Sequence, residues 1–87
     1  MGKYRIEIKK SAAKEIKHLP SQDIRKILVT IEALSENPRP QGCIKLSGDE
    51  KYRVRCGMYR IVYAILDNVL LVTVVRVGHR KNVYQKR

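Results

Sequence analysis

Arg53, Arg55 and Arg60 lie within one short stretch, "YRVRCGMYR", and His79, Arg80 and Tyr84 crowd into a second, "VGHRKNVY". A guanidinium is a permanently charged, planar donor fork that matches the oxygens of phosphate or carboxylate. Histidine titrates nearest neutrality, and a tyrosine hydroxyl can exchange a proton or stack its ring on a base. The two stretches therefore hold the parts for gripping an anion and moving a proton. Arginines on an exposed sheet can equally splay into water, and charge alone does not choose between these readings.

The elements that must position these side chains follow from periodicity. "KYRIEIK" alternates Tyr4, Ile6 and Ile8 with Lys3, Arg5, Glu7 and Lys9, the pattern of a strand with one buried face. Ser11 is the expected N-cap of a first helix with Ala12, Ile16 and Leu19 on one side, stopped by Pro20. Ser21 is the expected cap of a second helix, whose apolar face is Ile24, Ile27, Leu28, Ile31 and Leu34, broken by "ENPRPQG". His18 falls at a helix end, where a cation favours the dipole. Then come "CIKLSG", "YRVRC", "YRIVYAIL" and "VLLVTVVRV", separated by turns short enough for antiparallel neighbours.

The order β-α-α-β-β-β-β predicts an α+β fold in which a helical hairpin covers one face of a mostly antiparallel sheet. Alternation places Tyr52, Val54 and Cys56 on one face of the middle strand and Arg53 and Arg55 on the other. A tight turn through Gly57 and Met58 brings Arg60 beside Arg55. Three like charges that close make sense if something anionic occupies the space between them. Tyr52, Tyr59 and Tyr63 are expected to pack in the core or across strands, with Tyr59 the candidate exception.

Composition narrows the partner. The 87 residues form one expected domain, 1–87, with a modest core and a formal net charge of +11. Residues 1–50 carry ten basic and seven acidic side chains, whereas 51–87 carry nine basic and Asp67 as the lone acid. That skew signals nucleic acid or an anionic membrane, and we read it as nucleic acid. No segment approaches the roughly 18 apolar residues of a membrane-spanning helix, and the start lacks a signal peptide's apolar stretch, so the expected compartment is the cytoplasm. Cys43 and Cys56 allow one disulfide but read equally as two small buried apolar residues in a reducing cytosol, and His18 and His79 stand too far from them for zinc-site spacing. No metal and no cofactor are expected.

"KLSGDEKYRVRCGMYRIVY" followed by "VVRVGHRKNVY" resembles the C-terminal half of the RelE family of bacterial toxins, and the likeness runs the whole chain in order. The resemblance implies a toxin of a type II toxin-antitoxin pair, an endoribonuclease that cuts messenger RNA in the decoding site of a translating ribosome. It implies a small acidic RelB-like antitoxin as partner, with operator DNA reached only through the antitoxin complex and no membrane contact. The family's catalytic basic pair falls on Arg53 and Arg55, its phosphate-gripping arginine on Arg60, and its last two functional positions on Arg80 and Tyr84. Lys51, Arg76, Lys81, Lys86 and Arg87 are the expected RNA- and ribosome-binding cations around them.

That chemistry is attack of a 2′-hydroxyl on the adjacent phosphate through a dianionic, phosphorane-like state, in which positioned cations supply several kcal/mol. Better-known members carry lysine at the paired positions; arginine stays protonated, so neither Arg53 nor Arg55 is a base. Tyr84 and His79 remain as proton acceptors. Two other readings stand beside it: a ParE-like inhibitor of DNA gyrase, a group that shares the fold but lacks the full catalytic set, so that Arg60, Arg80 and Tyr84 count against it, and a nucleic-acid-binding module without catalysis.

Overall fold

Tyr4, Ile6 and Ile8 turn inward from the first strand, and the two helices that follow close over them. The computed structural model describes residues 3–46 and 50–79. The elements run β1 (Arg5–Ile8), α1 (Lys10–Lys17), α2 (Ser21–Ala33), β2 (Ile44–Lys45), β3 (Lys51–Cys56), β4 (Tyr59–Leu66), a 3-10 turn (Asp67–Val69) and β5 (Leu71–His79). The sheet order is β1-β5-β4-β3-β2. Each sequential pair from β2 to β5 is antiparallel, and β1 joins β5 in parallel. This is the expected α+β arrangement: short turns make β2 to β5 antiparallel neighbours, the helical hairpin carries the chain from β1 to β2 at the far edge, and three reversals later β5 lies parallel beside β1.

Several boundaries differ from expectation. Ser11 lies inside α1, whose cap position is Lys9 without a side-chain bond, and Ser21 is the first residue of α2, behind Pro20 at the cap. Leu28 is 45% exposed, because the sheet covers a narrower stripe of α2 than the apolar spacing offered. Within "CIKLSG" only Ile44 and Lys45 are strand, and residues 47–49 lie outside the described segments. The last strand runs two residues further than the apolar run suggests, so Gly78 and His79 also belong to β5.

The core lies between the helices and one sheet face: Ala12 and Ile16 from α1, Ile27, Ile31 and Leu34 around α2, and the inward row of the strands, with Tyr63 at its centre. Among the described residues no helix is long and apolar enough to cross a membrane. His18 caps α1 and its Nδ1 is 2.7 Å from the Lys14 carbonyl oxygen. Cys43 and Cys56 are free and half-buried.

One cluster ties the edges together. Arg39 donates to both Asp67 oxygens at 3.2 and 2.8 Å, Tyr4 donates its hydroxyl to Asp67 at 2.7 Å, and Arg39 Nε donates to the Tyr52 hydroxyl at 3.2 Å. The guanidinium also lies 5.2 Å over the Tyr52 ring. These donors hold the Asp67 carboxyl down at about 2. A carboxyl lowered by folding contributes stability above its unfolded value and loses it as pH falls toward the folded one. Asp67→Asn should therefore lower the melting temperature at pH 7 and lose that deficit by about pH 2. A deficit that stays constant across this range would show that the Asp67 charge is not what the cluster uses.

Candidate active site

Strand alternation sets the two faces of the site. Tyr52, Val54 and Cys56 of β3 point to the helices; Cys56 Sγ accepts from Thr30 Oγ1 at 3.3 Å. Lys51, Arg53 and Arg55 therefore project from the other face. Cross-strand partners share a face, and the register pairs Arg55 with Arg60 and Arg53 with Val62. On β5 the row continues to Gly78 beside Arg60 and to Arg76 beside Val62. Two rungs, Arg55-Arg60-Gly78 and Arg53-Val62-Arg76, thus gather the three predicted arginines opposite the helices. Gly78 puts no side chain next to Arg60.

Arg60 is only 7% exposed, while Arg53 is half-buried and Arg55 lies in solvent. Val62 is equally buried yet absent from the helix-side cluster, as its place on the opposite face requires. Like charges opposite one another on a sheet are unfavourable. An oxyanion between them reverses the sign of that interaction, and a partly buried guanidinium is held still enough to act as a preorganised donor.

A β-bulge decides what else joins the patch. The register steps from Tyr63↔Val74 to Val62↔Arg76, so Val75 is an extra residue. Plain alternation from Val72 and Val74 would send Arg76 inward and His79 outward. The bulge reverses this: Val77 enters the core, and His79 stands opposite Tyr59 on the helix side, their rings edge to face at 6.0 Å. His79 is therefore separated by the sheet from Arg53, Arg55 and Arg60. The bulge is legible in the sequence as the doubled valine of "VTVVRV", which breaks the period of two.

Three contacts of this region have no sequence signal, since their partners are 36 to 62 residues apart. The Tyr59 hydroxyl donates to Asp23 at 2.7 Å, a bond to a carboxylate that with burial pushes its phenol up. Beyond the end of β1 the Val77 N–H donates to Glu15 Oε1 at 2.8 Å, so α1 satisfies the edge of β5. Arg76 Nε lies 3.6 Å from the other Glu15 oxygen, which makes Arg76 an ion-paired residue at the patch's margin. Lys51 is half-buried on the open face, paired with Ala64. Arg80, Lys81, Tyr84, Lys86 and Arg87 lie outside the described residues. Among the described residues no group of three or more His, Cys, Asp or Glu side chains gathers as metal ligands would.

The alignment of Arg55 with Arg60 depends on the two-residue loop between them. Gly57 has φ +62°, the glycine-first pattern that matches the twist of a hairpin. An added Cβ would meet nothing within 4 Å, so the cost of a side chain is conformational alone. Gly57→Ala should destabilise by about 1–2 kcal/mol in denaturant melts, and Gly57→Asn by less. Equal stability of all three proteins would mean the loop does not need that conformation.

Comparison with known proteins adds the relatives of this arrangement. The family model described as "ParE toxin of type II toxin-antitoxin system, parDE" matches residues 6–84. The candidate toxin RelE1 of Methanocaldococcus jannaschii is 33% identical over 87 residues, covering 95% of this chain and 97% of its own. Among solved structures, the archaeal RelE-RelB complex of Pyrococcus horikoshii superposes with TM-score 0.81 at 28% identity, covering 90% of this chain and 96% of that one. The intact RelBE toxin-antitoxin complex of E. coli gives 0.76 at 28% identity, covering 87% and 95%.

Proposed function

The chain belongs to the RelE/ParE family, toxins of type II toxin-antitoxin systems, and from that premise we propose that it is an endoribonuclease that cuts messenger RNA held in the ribosomal decoding site. The observation that carries the reading is the Arg55-Arg60 rung on the face that the helices leave bare. A nuclease acting by 2′-hydroxyl attack needs fixed positive charge where the phosphate becomes a dianion. Arg60, held by burial, grips a non-bridging oxygen, and Arg53 and Arg55 share the growing charge from β3. Tyr84 is the proton acceptor to test first, because His79 faces Tyr59 across the sheet. Arg80 joins the grip, and Lys51, Arg76, Lys81, Lys86 and Arg87 steer the body onto ribosomal RNA. Metal takes no part in the proposed step.

In the resting cell the proposed partner is a RelB-like antitoxin, the kind of chain with which the structural relatives are complexed. An acidic antitoxin offsets the net charge of +11, and operator DNA is reached through that complex. The working compartment of such a toxin is the cytoplasm, where ribosomes translate.

A second reading is gyrase inhibition, favoured by the specific match to the ParE family model. Induction in cells with mapping of messenger RNA 5′ ends, beside a supercoiling assay with purified protein and gyrase, separates the two. Cuts inside translated codons with normal supercoiling are the expected result. Blocked supercoiling without new 5′ ends would replace the nuclease by a gyrase poison.

A further inference from the structure

Directly behind the arginine rung lies a cavity of about 290 Å³ that the proposed reaction does not use. Its walls are Asp23 and Lys26 of α2, the hairpin tip Cys56 to Tyr59, and His79. The last rung of the sheet, Cys56-Tyr59-His79, faces the helices, whereas the rung before it, Arg55-Arg60-Gly78, faces away. Cavity and arginine patch are therefore neighbours around the Gly57-Met58 end of the sheet, one residue apart along each strand. The size is near the lower end of small-ligand sites, and its lining is mainly apolar with a few converging polar groups.

We infer that this cavity is a nucleobase pocket, holding the base of a nucleotide next to the phosphate gripped by Arg55 and Arg60. The inference rests on the nuclease reading for the identity of its ligand. Single-stranded RNA is read by stacking unpaired bases on aromatic rings and bonding their edges. Tyr59 and His79 offer two rings at 81° to one another, so a base stacked on one meets the edge of the other. The Tyr59 ring is fixed by its bond to Asp23, and Lys26, one turn along α2, brings donors for a base carbonyl or ring nitrogen. Exposed Met58 is a flexible apolar flank that can close on a flat ring. An RNA strand rounding the Gly57-Met58 tip would place a phosphate on one side of the sheet and the adjoining base on the other. The pocket then supplies base preference beside the cut, while the arginines, which touch only phosphate, supply none.

The four nucleoside monophosphates, titrated into the purified full chain and followed by NMR at Tyr59, Met58 and His79, test the pocket directly. One base should shift these signals saturably, and Tyr59→Leu and Lys26→Ala should weaken it on the order of 10- to 100-fold, the loss expected for a stacked or bonded base. Lys26 is exposed, so its variant stays informative if Tyr59→Leu misfolds. In cells, base frequencies flanking the cut sites should flatten in both variants. Unshifted signals, or variants with wild-type base frequencies, overturn the pocket and leave the nuclease reading intact. Saturable base binding by a protein that makes no cuts retains the pocket and removes the nuclease.

Discussion

Arg60→Ala should abolish growth arrest on induction and slow cleavage of ribosome-bound message by about 10²- to 10³-fold, the loss typical of one preorganised charge donor. The size of the effect follows from position. Arg55 and Arg60 share a rung, but Arg55 lies in solvent whereas Arg60 is almost fully covered. A covered guanidinium has already lost its side-chain freedom and most of its hydration, so its field acts on the phosphate with less screening. Arg55→Ala should therefore cost less than Arg60→Ala. Arg60→Lys should recover part of the rate, since it keeps the charge and loses the planar fork that meets two oxygens. The same proteins need melting temperatures close to wild type for the rates to be read as chemistry. Undiminished toxicity of Arg60→Ala would remove the central residue of the proposed site.

The place of that residue on the sheet is legible in the sequence, and the reason is geometric. In "YRVRCGMYR" both strands alternate cleanly and the loop between them has two residues, so register and face follow from counting. The one-sided helical cover was legible on the same grounds, from two helices beside five strands. Side-chain chemistry alone makes His79 a candidate proton acceptor, and it assigns no face; the extra residue at Val75 changes the parity of everything after it and turns His79 to the helix side. Spacing puts Leu28 on the apolar face of α2, yet Leu28 is exposed, because spacing says which residues share a face but not how wide a stripe the sheet covers. The Arg39-Asp67-Tyr4 cluster and the bond from Tyr59 to Asp23 join residues far apart in the chain, and no local pattern announces them. Local periodicity thus reaches the arginine face, while the pocket behind it depends on long-range packing that only the folded chain displays.

Tyr63→Ala should cost about 3–5 kcal/mol in denaturant unfolding, as removal of a large buried ring does. Tyr63 is fully buried at the centre of β4, and its ring is stacked at 24° on Tyr52 with centroids 6.0 Å apart. Its hydroxyl donates to the Pro38 carbonyl at 2.7 Å, next to the residue that holds Asp67 and Tyr52. Burial pushes the phenol far up, so the bond persists through any pH the protein meets. Tyr63→Phe keeps the ring and strips that carbonyl of its donor, an expected loss of about 1–3 kcal/mol. Against a total stability of about 5–15 kcal/mol, the alanine variant removes a large share and the phenylalanine variant a modest one. Both substitutions sit three residues from Arg60 on the same strand yet point to the opposite face. Toxicity lost through Tyr63→Ala should therefore fall with the folded fraction and return at lower temperature, whereas toxicity lost through Arg60→Ala should stay lost in a fully folded protein. If Tyr63→Ala unfolds within 1 kcal/mol of wild type, the helix side of the sheet is not the core on which the arginine face is built.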